Sequence, residues 1–232
     1  MKNSEYSKLS NLFLFFFVVI SFIEIIAELF NDTTIVWVSK PLIIPFLLIF
    51  YLFKSKIRSN YFIAALVFSS VSNILFIENT FFYNLFGTFF ALFFMIIIIY
   101  LVLNQLNKPP LNSMIFGAIP FFITYAAILI ISYESIHSNL LFFIFNAFFV
   151  IFLGGFGLGN YTIYKSKTNY YLFISALLFA LMHFVYLFKL FSVAEPTMHA
   201  LSMLFYVLGQ LMLTRFVLFT EKKMRNFKIV NI

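Results

Sequence analysis

Eight long apolar runs separated by short polar breaks constrain this chain more than any other feature. Breaks marked by charge, Asn or Pro leave spans at about 10–30, 36–53, 61–78, 82–103, 111–132, 139–158, 170–190 and 199–219. A bilayer hydrocarbon core about 30 Å thick takes about 20 apolar residues per helix, so all eight are expected to cross. Backbone N–H and C=O groups facing lipid must be satisfied within their own segment. The expected fold is therefore all-α, a polytopic integral membrane bundle of eight transmembrane helices, each packed beside a sequence neighbour. With 63% of residues hydrophobic and 10% charged, against roughly half apolar in a soluble domain, nothing is left for a second domain. Residues 1–232 read as one transmembrane domain.

The loops orient it. If the N-terminus is inside, the cytoplasmic segments hold Lys2, Lys8, Lys54, Lys56, Arg58, Lys108, Lys165, Lys167, Lys222, Lys223, Arg225 and Lys228, twelve of the 15 basic residues. Lys40 and Lys189 alone fall outside, and Arg215 lies near enough to the inner face to snorkel. That bias puts both termini in the cytoplasm. It also accounts for the net charge of +7 without nucleic acid, since the basic residues form no aromatic-interleaved patch. Lys2 and Lys8 precede an apolar run as in a signal peptide, but the run reaches Phe30 without a small-residue cleavage site and is read as a retained helix. A bacterial-type inner, cytoplasmic membrane is the expected location.

Two local features read as structural. Gly154, Gly155, Gly157 and Gly159 close the sixth span, and Gly155 with Gly159 makes the small-xxx-small spacing that lets helices approach. Pro45 and Pro120 are expected to kink their helices.

Polar groups at membrane depth are costly and face a protein interior or a wet cavity, which makes them the functional signal. Helix 1 carries Ser21, Glu24 and Glu28 on one stripe. Two carboxylates a turn apart do not both ionise easily in a low dielectric unless a cation is close. Lys40, across a short loop from Glu28, is the natural one, although snorkelling or a purely structural pair would explain it equally. Following each helix in its expected direction, Glu28, Lys40, Asn73, Asn84, Thr124, Asn146, His183 and Gln210 fall between the midplane and the outer leaflet. They are expected to share one outward-opening polar pocket, with Tyr206 one turn before Gln210. Singly, each is as well explained by an interhelical hydrogen bond. No cysteine is present, and His137, His183 and His199 are scattered, so no metal site and no cofactor are expected.

The stretch "SKPLIIPFLLIFYLF" from Ser39 resembles the second-helix Lys-Pro-Leu signature of the YhhN-like membrane proteins, the lysoplasmalogenase family. "FSSVSNILF" (68–76), "YNLFGTFFALFF" (83–94), "ISALLFALMHF" (174–184) and "YVLGQLML" (206–213) resemble its third, fourth, seventh and eighth helices in order. The resemblance implies eight helices and cleavage of the vinyl ether of a lysoplasmalogen to a fatty aldehyde and a glycerophospho-alcohol. It also exposes departures. Ser72-Asn73 stands where the family has Gly-Asp, His183 where it has an aspartate, and its fourth-helix histidine falls near Phe93.

Such a cleavage needs a proton delivered to carbon, a carboxylate to stabilise the resulting cation, and water. The catalytic candidates are Glu24, Glu28 and His183, with the glutamates as cation stabilisers and His183 or the protonated partner glutamate as donor. Lys40 is expected to hold the phosphate, and Asn73, Asn84, Asn146, Tyr206 and Gln210 to line the substrate site. The expected partners are the bilayer and a lysophospholipid or other single-chain amphiphile; homo-oligomerisation is left open. The alternatives are a non-catalytic lipid-binding or transporting relative, which the replaced aspartates favour, and a proton-coupled transporter, for which no paired repeats are apparent.

Overall fold

The tight turn between the first two helices shows how local sequence sets the geometry here. Asn31 adopts a left-handed backbone, φ 55°. The Asp32 amide donates to the Ala27 carbonyl (2.9 Å) and the Asn31 amide to Glu28 (3.3 Å), the paired bonds of a Schellman ending. Asp32 then caps the next helix by accepting from the Ile35 amide at 3.1 Å. Three residues thus end one helix and start another, with Glu28 and Lys40 facing the same level.

The computed structural model describes residues 2–78, 80–136, 140–189 and 196–230; His137 lies outside them. All regular structure among these residues is helical: α1 (Lys2–Leu29), α2 (Thr33–Lys54), α3 (Asn60–Leu75), α4 (Phe81–Gln105), α5 (Leu111–Ile136), α6 (Leu140–Ile163), α7 (Lys167–Lys189) and α8 (Pro196–Val230). Seven are long and apolar enough to cross a membrane, as a multi-pass integral membrane protein requires. Two differences from the expected spans are informative. Helix α8 continues well past its apolar run, since a helix need not end where the hydrocarbon does. Helix α3, expected over 61–78, has only 16 residues, about 24 Å at about 1.5 Å per residue.

A packing contact explains why α3 stops short. Phe76 ends the helix, and its ring lies where a Cβ on Gly87 would come within 2.9 Å. Ser72 donates to the Gly87 carbonyl at 2.8 Å. The last turn of α3 is thus held against α4, and Ile77 and Glu78 turn away above it.

Consecutive helices pair as hairpins, α1 with α2, α3 with α4, α5 with α6 and α7 with α8. Helix α8 also packs on α1, closing the bundle, while α4 meets α6 and leaves α5 on the periphery against α6 and α7. The main core draws on every helix except α5, with Phe50, Tyr51, Phe62, Phe156, Phe179 and Phe216 among its fully buried rings. A smaller cluster of Phe121, Tyr125, Phe143 and Val150 binds α5 to α6.

Lipid tails are as apolar as leucine, so helix association rests on close packing and polar contacts. At the α5–α6 seam, a Cβ on Gly117 would lie 2.7 Å from the Gly155 carbonyl, and one on Gly159 2.9 Å from the Ser113 carbonyl. The glycines do not terminate α6, which runs on to Ile163; they admit backbone-to-backbone contact within it. Helix α2 likewise continues through Pro41 and Pro45, and α5 through Pro120.

Candidate functional site

At the end of the bundle carrying the α1–α2 and α3–α4 turns lies a cavity of about 630 Å³. It forms where the short α3 leaves space between α2, α4, α7 and α8. Eight of the residues singled out from sequence line it together: Glu28, Lys40, Asn73, Asn84, Asn146, His183, Tyr206 and Gln210. Glu78, Ser202 and His199 add polar groups, and Phe94, Met95, Phe179 and Met182 supply apolar wall.

Charge concentrates at one place. The Lys40 ammonium is 2.7 Å from Glu28 Oε1 and 3.8 Å from Glu24 Oε1. His199 Nδ1 lies 3.6 Å from Glu28 Oε2, so the two oxygens of Glu28 face a lysine on α2 and a histidine on α8. Sequence reasoning noticed His199 as a polar residue but did not place it in the site. The signal was available only as one member of a stripe with Ser202, Tyr206 and Gln210 at helical spacing.

Glu24 is fully buried and does not line the cavity. It sits behind Lys40 in hydrogen-bond contact with the Ser39 hydroxyl, which is also 2.7 Å from the Ile35 carbonyl. A serine hydroxyl has one proton to give and can also accept.

The prolines of α2 bear on the same point. Pro45 has no N–H for the Pro41 carbonyl, and one residue earlier the Lys40 carbonyl accepts from Asn73 Nδ2 at 3.1 Å. Asn73 therefore ties α3 to α2 at the Lys40 backbone.

On the far wall, Ser69 joins Tyr206 and Gln210. Its hydroxyl accepts from Gln210 Nε2 at 2.8 Å and lies 2.8 Å from the Tyr206 hydroxyl. Gln210 Oε1 is buried with no hydrogen-bond partner among the described residues, leaving an acceptor at the cavity wall. His183 Nδ1 lies 2.7 Å from the Phe179 carbonyl, so Nδ1 carries a proton and donates it there.

Two sequence expectations fall elsewhere. Thr124 does not join the cavity, because α5 is peripheral; its hydroxyl donates to the Pro120 carbonyl in its own helix at 2.8 Å. Phe93 packs on Phe68 and Phe89, with ring centroids 5.3 and 4.8 Å away, and is outside the cavity lining. Among the described residues no group of three or more Asp, Glu or His side chains is placed to hold a metal ion.

The arrangement can anchor an anionic headgroup, hold a carboxylate beside a proton carrier, and shelter an apolar chain. The YhhN family model matches residues 35–217, a range that takes in Lys40 and every other lining residue named here except Glu28. Comparison with curated proteins and with solved structures returned no match.

Proposed function

We propose that this chain, which belongs to the YhhN family, is a lysoplasmalogenase-type hydrolase that cleaves the vinyl ether of a lysolipid to a fatty aldehyde and a glycerophospho-alcohol, in a bacterial-type inner membrane. The observation that carries this reading is the Lys40–Glu28–His199 cluster at a cavity that Phe94, Met95, Phe179 and Met182 also line. A single-chain amphiphile presents a charged head and one tail, the two chemistries the cavity supplies.

The reaction adds one water. A proton adds to the alkene carbon remote from oxygen, and the other carbon becomes an oxocarbenium ion. Water adds there and gives up one proton, which restores the donor, to leave a hemiacetal. The hemiacetal loses its alcohol, with a proton moving to the departing oxygen, and leaves the aldehyde. Glu28 fits the carboxylate that stabilises the cation. His199, facing the other Glu28 oxygen, fits the proton donor. His183, with Nδ1 engaged, leaves Nε2 to orient the water. Lys40 supplies a point charge for the phosphate, and Asn84 and Asn146, which line the same cavity, fit polar partners for the headgroup.

The test is aldehyde release from a lysoplasmalogen by the purified protein, with an ester-linked lysolipid as control. Wild type should release aldehyde from the vinyl ether alone, and Glu28→Gln and His199→Gln should each lose about 10²-fold or more. Wild-type rates in Glu28→Gln would remove that residue from the chemistry.

One observation favours a second reading, a lipid-binding relative without catalysis. Asn73, at a position where an aspartate is expected, is spent on the Lys40 carbonyl and cannot exchange a proton. In that case the protein would keep bound lysolipid through purification and release no aldehyde.

A further inference from the structure

A second cavity, of about 230 Å³, lies at the opposite end of the bundle. Lys54 at the end of α2 and Ser55 and Lys56 of the α2–α3 connection line it, with Arg215, Glu221 and Lys222 of α8. The charge distribution puts this end at the cytoplasmic interface. Topology alone explains basic residues near that surface, but not their convergence on one concavity.

The balance of charge in the cavity is unusual. None of Lys54, Lys56, Arg215 and Lys222 lies within ion-pair distance of a carboxylate among the described residues. The one acid in the lining, Glu221, is buried and already engaged. Its oxygens accept from the Tyr51 and Ser55 hydroxyls, both at 2.5 Å, and from the Ser59 amide at 3.2 Å. Three neutral donors thus satisfy the single anion, and four cations are left facing the same space.

The walls are also built. Ser55 accepts from the Arg58 amide at 2.9 Å, the Tyr51 hydroxyl accepts from the Ser59 amide at 2.7 Å, and Arg58 holds a left-handed backbone, φ 55°. These contacts pin the α2–α3 connection to α8 through Glu221. Arg215 is half-buried in an otherwise apolar stretch with its guanidinium 5.8 Å from the Phe50 ring centroid, so its planar fork is held in place. A guanidinium with convergent ammonium groups matches the oxygens of a phosphate, and Ile57, Leu218 and Phe219 provide an apolar flank.

We propose that this cavity binds a phosphate anion, either the headgroup of an acidic phospholipid of the inner leaflet or free inorganic phosphate. The reading is independent of any chemistry in the outer cavity. Basic pockets between helices on the cytoplasmic side suit such headgroups.

The test uses the full chain in vesicles of phosphatidylcholine with a minor fraction of phosphatidylglycerol, extracted gently, and the ratio of the two lipids retained is measured. A parallel arm follows thermal unfolding in pure phosphatidylcholine with and without inorganic phosphate at constant ionic strength. Phosphatidylglycerol should be enriched on wild type, and Lys56→Gln/Lys222→Gln, which alters two exposed side chains, should lower that enrichment by about 25-fold, at about fivefold per cation. Lys165→Gln/Lys167→Gln, equally basic and on the same face but outside the cavity, should leave it unchanged. If the double variant fails to insert, Lys56→Gln alone should show about a fivefold loss. Protection by inorganic phosphate without lipid enrichment, lost in Lys56→Gln, would support the site with free phosphate as occupant. Equal losses in the two double variants, or neither enrichment nor protection, would overturn the proposal.

Discussion

The Lys40 ammonium stands 2.7 Å from one Glu28 oxygen and 3.8 Å from the nearer Glu24 oxygen, so one cation on α2 serves two carboxylates on α1. Removing one partner of a fully buried pair leaves an uncompensated charge, at about 3–5 kcal/mol, and this part-buried pair should approach the lower end of that range. Lys40→Met should therefore destabilise strongly, whereas Glu28→Gln with Lys40→Met should cost clearly less than the two single losses added together. Reversible unfolding of the four proteins in mixed detergent measures this coupling. Simple additivity would mean that the pair is energetically idle.

Asn31 makes the same pair possible by turning the chain between α1 and α2. A side chain branched at Cβ tolerates the left-handed region poorly, at roughly 1–2 kcal/mol, while glycine accepts it freely. Asn31→Val should lower stability by that amount and Asn31→Gly should not. Equal losses in both would point to the Asn31 side chain instead of its backbone.

The α5–α6 seam has no room for a side chain. A Cβ on Gly155 would lie 2.8 Å from the Ala118 Cβ and 2.9 Å from the Met114 carbonyl. Backbone cannot step aside as a flexible side chain can, so Gly155→Leu should cost at least the roughly 1–3 kcal/mol of overpacking. A protein with wild-type unfolding would show that the seam is looser than its distances indicate.

At the inner end, the Tyr51 hydroxyl donates to Glu221 and accepts from the Ser59 amide. A hydrogen bond to a charged group contributes about 1.5–3 kcal/mol. Tyr51→Phe should lose about that much stability with little change in shape. No loss in denaturant unfolding would remove Glu221 as the organiser of the α2–α3 connection.

If the outer cavity houses a lipid chain, filling it should exclude that chain. Ala91 lines the space from α4, and Ala91→Phe should weaken lysolipid binding by roughly tenfold or more, since added bulk in a shaped site costs about 1–3 kcal/mol. Unchanged binding, read by lipid retention, would place the chain elsewhere.

Much of the candidate site was legible because polar residues at membrane depth stand out against an apolar background. Glu28, Lys40, Asn73, Asn84, Asn146, His183 and Gln210 could be assigned to one half of the bilayer by counting along each span. Thr124 could not be separated from them in this way. Depth is a property of one helix, but facing is a property of two, and α5 turned out to be peripheral. His199 was missed as a site residue for the converse reason: its closeness to Glu28 depends on α8 returning to α1, a contact between the two ends of the chain.

By itself the sequence determined the number of helices and, through the basic loops, their expected orientation. Each span's preference for hydrocarbon and each cation's preference for one surface are local and additive along the chain. Only the tertiary structure decided that α3 stops at Leu75, that Asn73 is spent on the Lys40 carbonyl, and that Glu24 lies behind the cavity instead of in it. Lipid and protein interior are equally apolar, so 38 phenylalanines carry little information about which face turns inward. That choice is made by close contacts such as Gly87 under Phe76 and Gly117 against Gly155, which exist only once the helices have met.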